Sequence, residues 1–289
     1  MDRKKREFPF SQQDFDFLRK MSNEHSGIVV SDDKYDMFYS RLCKHLRRLG
    51  LSNFSEYCQV LSKGCGAEFS EFINSITTNL TSFFRENHHF EFLSKTILPE
   101  LMQRNAASRR IRIWSAGCST GEEPYSIAMT LLEQVPSSWD IKILATDLDT
   151  DVLSKASTGV YTKDRIEGLD DRRVKRWFKK GKGGQENKVR VDERLRSIIK
   201  FSQLNLMKSW PMNGPFDVIF CRNVLIYFDN ETKEKLVGRY SDILAEDSCL
   251  FIGHSETLHR ITNQFDLVGK TIYRNGAKNA TVEVEYETA

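Results

Sequence analysis

The chain has no CxxC pair, no apolar run long enough to cross a bilayer and no GxGxxG spacing, and each absence removes a class of protein. Its six cysteines, Cys43, Cys58, Cys65, Cys118, Cys221 and Cys249, are scattered, which fits neither a disulfide framework nor a thiolate zinc site and predicts reduced thiols. Without a long apolar run there is no membrane span. The basic start, Met1-Asp2-Arg3-Lys4-Lys5-Arg6, leads into Glu7-Phe8-Pro9-Phe10 rather than into the apolar stretch of a signal peptide, so a cytoplasmic location is expected. What is present is an ordinary globular composition, 39% hydrophobic and 29% charged. At 289 residues it is long enough for one large α/β domain and a smaller helical one. The net charge of +3 says little about partners, but fourteen Lys and Arg against seven Asp and Glu between Lys163 and Lys200 concentrate positive charge in one segment.

From Ser11 to about Thr78 the pattern is helical, with starts near Ser11, Ser31, Ser52 and Glu68. In the second of these helices Tyr35, Phe38, Leu42, Leu46 and Leu49 share a face, while Arg41, Lys44, His45 and Arg48 form a basic stripe on another. That stripe reads either as a solvated surface or as a dock for an acidic partner. A helical linker from His88 to about Arg104 follows. Strands at Ile111–Trp114 and Ile141–Ala145 then flank a helix from Glu122 to Gln134. Further strands are expected at Ile198–Phe201, Phe216–Cys221, Cys249–Ile252 and around Thr271–Tyr273, with a helix over Glu231–Ala245. The expected organisation is a helical domain over residues 1–80, a linker over 81–108 and an open doubly wound α/β domain over 109–289. Residues 157–197 interrupt the last with a small antiparallel β insertion. The tail carries a Val282–Tyr286 alternation that suits either an edge strand or a flexible end.

The first strand runs into Ser115-Ala116-Gly117-Cys118-Ser119-Thr120-Gly121-Glu122-Glu123-Pro124, a small-residue turn where a doubly wound sheet binds ligands. Glu122 and Glu123 occupy the helix start that a dinucleotide pyrophosphate would need, which argues against a nicotinamide enzyme; they also suit helix capping. Asp147, ending the second strand, can accept hydrogen bonds from both hydroxyls of a ribose, whereas Asp149 is better placed to cap the next helix.

Four segments, Thr77–Glu86 (TTNLTSFFRE), Ser119–Ser126 (STGEEPYS), Phe220–Phe228 (FCRNVLIYF) and Gly253–Glu256 (GHSE), resemble those of the chemotaxis receptor glutamate methyltransferases, the CheR-type family. The resemblance covers nearly the whole chain. It implies an S-adenosylmethionine-dependent methyltransferase sheet and a cofactor site of Asn79, Thr81, Arg85, Glu123, Asp147, Asn205, Leu206, Arg222 and Asn223. Arg85 and Tyr227 are then the candidate positioning groups for catalysis. Considered without the family, Asn205 is a turn residue and Tyr227 an amphipathic core residue.

The implied reaction needs no base, because a glutamate side chain is already ionised at neutral pH (pKa about 4.3). It requires in-line positioning and removal of water instead. His88-His89 lacks a second pair at metal-ligand spacing and His254 reads as a hydrogen-bonding residue, so no metal is expected. The implied partners are cytoplasmic domains of methyl-accepting receptors, met through Arg41, Lys44 and Arg48, and a receptor C-terminal peptide at the β insertion. The chain would reach a membrane only through those receptors, would act as a monomer, and would release S-adenosylhomocysteine. A nucleic-acid methyltransferase using the basic insertion is disfavoured by the absence of aromatic RNA-binding or Asn-Pro-Pro-Tyr-like motifs. A non-catalytic receptor adaptor is disfavoured by intact Arg85, Asp147, Arg222 and Tyr227.

Overall fold

The computed structural model describes residues 6–64 and 66–276, so the alternating tail segment lies outside the described residues. Ser11 opens the first helix as a capping box: its hydroxyl accepts from the Asp14 N–H while the Asp14 carboxylate accepts from the Ser11 N–H. That helix, α1 (Gln12–Ser26), stops at left-handed Gly27 and is followed by α2 (Tyr35–Leu49), α3 (Phe54–Ser62) and α4 (Ala67–Ile76). Phe15, Phe38, Leu42, Leu46, Phe54 and Phe72 are sealed in the core of this bundle. Each contributes roughly 1.5–3 kcal/mol by leaving water. Tyr35 and Leu49, expected on the same face, stay half-buried and exposed at the two ends of α2.

His45 corrects the expected basic stripe. It is buried, with Nδ1 2.8 Å from Glu68 and Nε2 2.8 Å from the Ser75 hydroxyl, and burial lowers its pKa. A helix turns about 100° per residue, so three residues bring His45 within about 60° of Leu42 while Lys44 points about 100° away. Arg41 and Arg48 also face α4 in part. Arg41 donates to the carbonyls of Ser75, Ile76 and Thr77, closing the carboxyl end of α4, and Arg48 pairs with Glu68. Lys44 alone of the three proposed recognition cations is exposed without a role in that packing.

The linker is one helical run, α5 (His88–Phe92), a π-helical turn (Leu93–Ile97) and α6 (Leu98–Arg104). Alternating elements follow: β1 (Arg110–Ala116), α7 (Glu122–Gln134), β2 (Asp140–Asp147) and α8 (Thr150–Thr158). The insertion then supplies β3 (Val160–Thr162), α9 (Asp171–Trp177), β4 (Phe178–Lys180), β5 (Lys188–Val191) and α10 (Glu193–Arg196). The main sheet resumes with β6 (Ile199–Gln203), β7 (Phe216–Cys221), α11 (Asn230–Ile243), β8 (Leu244–Ile252), β9 (Phe265–Gly269) and β10 (Ile272–Asn275).

The seven strands lie in the order β6-β2-β1-β7-β8-β10-β9, parallel from β6 to β8, with β10 antiparallel to both neighbours. Chain order runs outward in opposite directions from β1 and β7, making their junction the topological switch point. The insertion is a separate antiparallel sheet, β3-β5-β4. Its basic charge is partly spent on attachment. Arg173 and the Trp177 indole both donate to Glu133 on α7, and Arg165 pairs with buried Glu122. β9 escapes the sequence pattern because it is an edge strand whose Asp266, Leu267 and Val268 are all exposed, without the alternation that marks a half-buried strand.

Candidate active site

A pocket opens at the carboxyl ends of β1, β2 and β7, and the domain junction forms its other wall. The turn after β1 is held tightly against β2: the N–H groups of Gly117 and Cys118 both donate to the Thr146 carbonyl. Gly117 has φ 117°, and a Cβ there would meet Val224 Cγ2 at 2.4 Å, so the close approach of this turn to the β7 loop requires glycine.

Asp147 sits where expected, at the end of β2 and on the pocket wall. Its carboxylate accepts from the N–H groups of Ser119 (2.7 Å) and Asp149 (3.0 Å), and burial nevertheless pushes its pKa up to about 6. Asp149 caps α8 as expected, accepting from the N–H groups of Asp151 and Val152. Its other oxygen accepts from the Asn79 amide (2.8 Å) and the Thr77 hydroxyl (3.0 Å). Asn79 therefore reaches the site as a brace on α8 whose backbone carbonyl accepts from the Ser119 hydroxyl.

Glu122 and Glu123 are more than helix caps. The N-cap is left-handed Gly121, and both carboxylates are buried ion-pair partners, Glu122 of Arg165 and Glu123 of Arg222 (3.0 Å). Glu123 also accepts from the Ser115 hydroxyl at 2.7 Å. Arg222 ends β7 almost completely buried, between Glu123 and Glu86 (3.3 Å), and donates to the Arg85 carbonyl. Two carboxylates thus compensate one guanidinium, and Arg222 anchors the Arg85 segment while lining the pocket with its buried Nε unpartnered.

Arg85 also lines the pocket, and it does so with donors to spare. It is about a quarter exposed and donates to the Leu80 carbonyl at 2.7 Å. Its neighbours Phe84 and Glu86 both adopt positive φ, 51° and 57°, as do Ser119 (47°) and Asn223 (58°), also at the pocket. Non-glycine residues in this region cost about 1–3 kcal/mol each and concentrate where geometry is imposed by function.

Asn205 lines the pocket and also has a structural role. Its amide donates to the His25 carbonyl at 2.6 Å and its oxygen accepts from the Met207 N–H, an Asx turn that also ties the helical domain to the sheet. Leu206, Thr81, Asn223 and Tyr227 all line the pocket, Tyr227 on a 3₁₀ turn (Leu225–Tyr227) beyond β7.

The groups that sequence reading missed are those that hold this loop. Glu256 is buried and accepts from the N–H groups of Asn223 (2.9 Å), Ile226 (3.1 Å) and Gly253, so one carboxylate clamps the turn bearing Asn223 and Tyr227. Its signal was the GHSE segment. From the other side the Val29 N–H donates to the Tyr227 carbonyl at 2.8 Å, a contact with no local signal.

Glu86, His88 and His89 bring one donor atom each within 4.8 Å, a grouping that histidine spacing alone did not suggest. The Arg222 guanidinium at 3.3 Å from Glu86 places a full positive charge where a cation would have to bind. Burial, then the nearby Arg222 charge, lowers the His89 pKa to about 3, and its Nε2 lies 3.1 Å from the Lys270 carbonyl, which fixes Nε2 as the protonated nitrogen. Burial works against ionisation of Glu86, but the His254 hydrogen bond and Arg222 outweigh it and hold its carboxyl at about 2.

A model of the "CheR methyltransferase, SAM binding domain" matches residues 79–274, and one of the "CheR methyltransferase, all-alpha domain" matches residues 13–77. The chain is 46% identical over 257 residues to the probable chemotaxis protein methyltransferase of Rhizobium etli, spanning 88% of this chain and 96% of that one. It is 42% identical over 268 residues to the chemotaxis protein methyltransferase of Escherichia coli K12, spanning 91% of each. With the Salmonella typhimurium chemotaxis protein methyltransferase it shares 45% over 255 residues, 86% of this chain and 85% of that one. A helical domain closing over the switch point of a doubly wound sheet, together with family models that between them match residues 13–77 and 79–274, shows that the chain belongs to the CheR methyltransferase family.

Proposed function

We propose that the protein transfers a methyl group from S-adenosylmethionine to glutamate side-chain carboxylates of chemotaxis receptors, giving glutamate methyl esters and S-adenosylhomocysteine for sensory adaptation. The observation that carries this reading is the donor set of the pocket: a half-buried carboxylate for a ribose diol, a half-buried guanidinium for a carboxylate, and no histidine free to act as a base. His89 is neutral and sealed, and His254 is paired with Glu86 at 2.7 Å. Such a site suits an acceptor that is already an anion.

These residues fit the cofactor. Asp147 would take the ribose hydroxyls and Arg85 the amino-acid carboxylate, while Ile28, Leu204 and Phe228 give the adenine an apolar surround. Bound S-adenosylmethionine supplies an activated methyl, so that a carboxylate oxygen forms the new C–O bond, the C–S pair stays on sulfur and no proton moves. The protein's part is positional: Glu256 and Val29 hold the Tyr227 turn, and Arg222 with Glu86 and Glu123 hold Arg85. Lys44, Arg41 and Arg48 on α2 are the candidate contacts for the acidic acceptor segment. The outer edges of β3 and β4 could each accept a receptor C-terminal peptide as an added strand.

The test is transfer of radiolabelled methyl from S-adenosylmethionine to receptor cytoplasmic fragments, with RNA as a control. Alkali-labile label on a fragment, lost when its acceptor glutamates become alanine, is the expected outcome. Alkali-stable label on RNA would overturn the acceptor assignment.

A further inference from the structure

Seven large hydrophobic residues are exposed among the described residues, and three of them come from separate segments next to the pocket: Leu80 (75%) lines it, while Val29 (50%) and Ile226 (49%) flank the turn that carries the pocket-lining Tyr227. Val29 follows α1 and is fixed by its N–H bond to the Tyr227 carbonyl. Ile226 immediately precedes Tyr227, and its own N–H is held by Glu256 at 3.1 Å. Leu80 lines the pocket at the domain junction, where its carbonyl accepts from Arg85 at 2.7 Å. All three backbones are anchored by hydrogen bonds while their apolar side chains stay in water, each alongside one of the two candidate positioning groups, Arg85 and Tyr227. An apolar side chain left in water forgoes roughly 25 cal/mol for each Å² it could bury. Three such side chains around one opening form a patch that calls for a partner.

We propose that Val29, Leu80 and Ile226 form an apolar collar that closes on the receptor segment around the acceptor glutamate, contacting apolar side chains on either side of it. The proposal rests on the carboxylate-methylating reading above and adds to it the character of the acceptor segment: acidic at its centre and apolar at its shoulders. The centre is set by the reaction, whose acceptor is itself a carboxylate. The shoulders are set by the chemistry. A carboxylate nucleophile is blunted by its hydration shell, and a polar rim would keep that water in place. An apolar rim contributed by both domains removes it only when a matching surface seats against it. The collar thereby couples recognition to activation, because a segment with a carboxylate but polar shoulders would leave its nucleophile wet.

The test uses the full chain carrying V29S and I226S together, two collar residues whose side chains do not line the cofactor pocket. L267S, on the remote edge strand β9, serves as a control for loss of an exposed apolar side chain. Binding of S-adenosylhomocysteine and of a receptor cytoplasmic fragment is measured by calorimetry alongside methyl transfer to that fragment. The expected result is a rise of about tenfold in the KM and Kd for the fragment, with S-adenosylhomocysteine affinity within about twofold of wild type and L267S unchanged in all three. Unchanged fragment affinity and transfer in V29S/I226S would overturn the collar. A wild-type protein that binds the fragment without labelling it would overturn the methylation reading alone, since the collar is still read from fragment binding. One that neither binds nor labels any fragment would overturn both.

Discussion

Asp147 shows how a single residue carries both identity and regulation of the pocket. Its position after β2 was legible in the sequence because the end of a parallel strand in a doubly wound sheet is fixed by topology. Its burial was not, and burial is what pushes its carboxyl up to about 6. A protonated Asp147 would lose part of its capacity to accept from ribose hydroxyls. Affinity for S-adenosylhomocysteine is therefore expected to be full well above pH 6, where the carboxylate is ionised, and to weaken as pH falls through about 6. Asp147→Asn should weaken binding by about tenfold or more and flatten the pH dependence. Calorimetric titration across that range checks both, and a pH-independent affinity in the wild type would place the carboxylate away from the ligand. Glu256 illustrates the opposite case. Only its place in the GHSE motif distinguishes it from a surface glutamate, and the motif does not say that three backbone N–H groups converge on it and fix the turn that presents Tyr227.

At the scale of elements, periodicity placed α2 correctly and assigned its polar face too generously. Arg41 and Arg48 serve α4, and His45 is inside the bundle, so three of the four stripe residues have intramolecular work. The same composition can thus mark either a docking surface or a helix–helix seam, and only the neighbouring helix distinguishes them. Charge reversal separates the roles. Lys44→Glu is expected to raise the KM for receptor a few-fold with no change in Tm, whereas Arg41→Glu should lower Tm by several degrees, because it strips the carbonyl end of α4 of its cap. A Tm loss for Lys44→Glu, or none for Arg41→Glu, would reverse the assignment. The β insertion follows the same logic. Its excess of cations read as one basic patch, and the structure divides it between attachment to α7 through Arg165 and Arg173 and residues left at the surface.

The molecule as a whole is closed by contacts between distant segments, and those contacts set its response to acid. His89, on the linker, is sealed against the turn between β9 and β10 by bonds to Lys270 and Thr271. Its pKa is lowered to about 3 from an ordinary value of 6.5. A group depressed in the folded state contributes stability that is complete above its unfolded pKa and is lost as pH falls toward the folded one. The stability of the protein should accordingly decline below about pH 6.5, by up to about 1.4 kcal/mol per pH unit from this residue. Urea unfolding at about pH 7 and about pH 5 measures it. His89→Gln, which retains a donor for the Lys270 carbonyl and has no ring to protonate, should show the smaller decline of the two proteins. Equal declines would mean that His89 titrates normally.

The sequence by itself determined the alternation of elements, the doubly wound sheet, the antiparallel insertion and the four motifs, because hydrophobic period and turn chemistry are local properties written along the chain. The resemblance of those motifs implied one site for Asp147 and Arg85, and both line the same pocket. The tertiary structure decided which cations are spent on packing, that Asn205 braces His25, that Glu86 and Glu123 share Arg222, and that Val29 of the helical domain holds Tyr227. Those are pairings between residues far apart in the chain. Their energy depends on distance and burial in three dimensions, which no window of sequence contains.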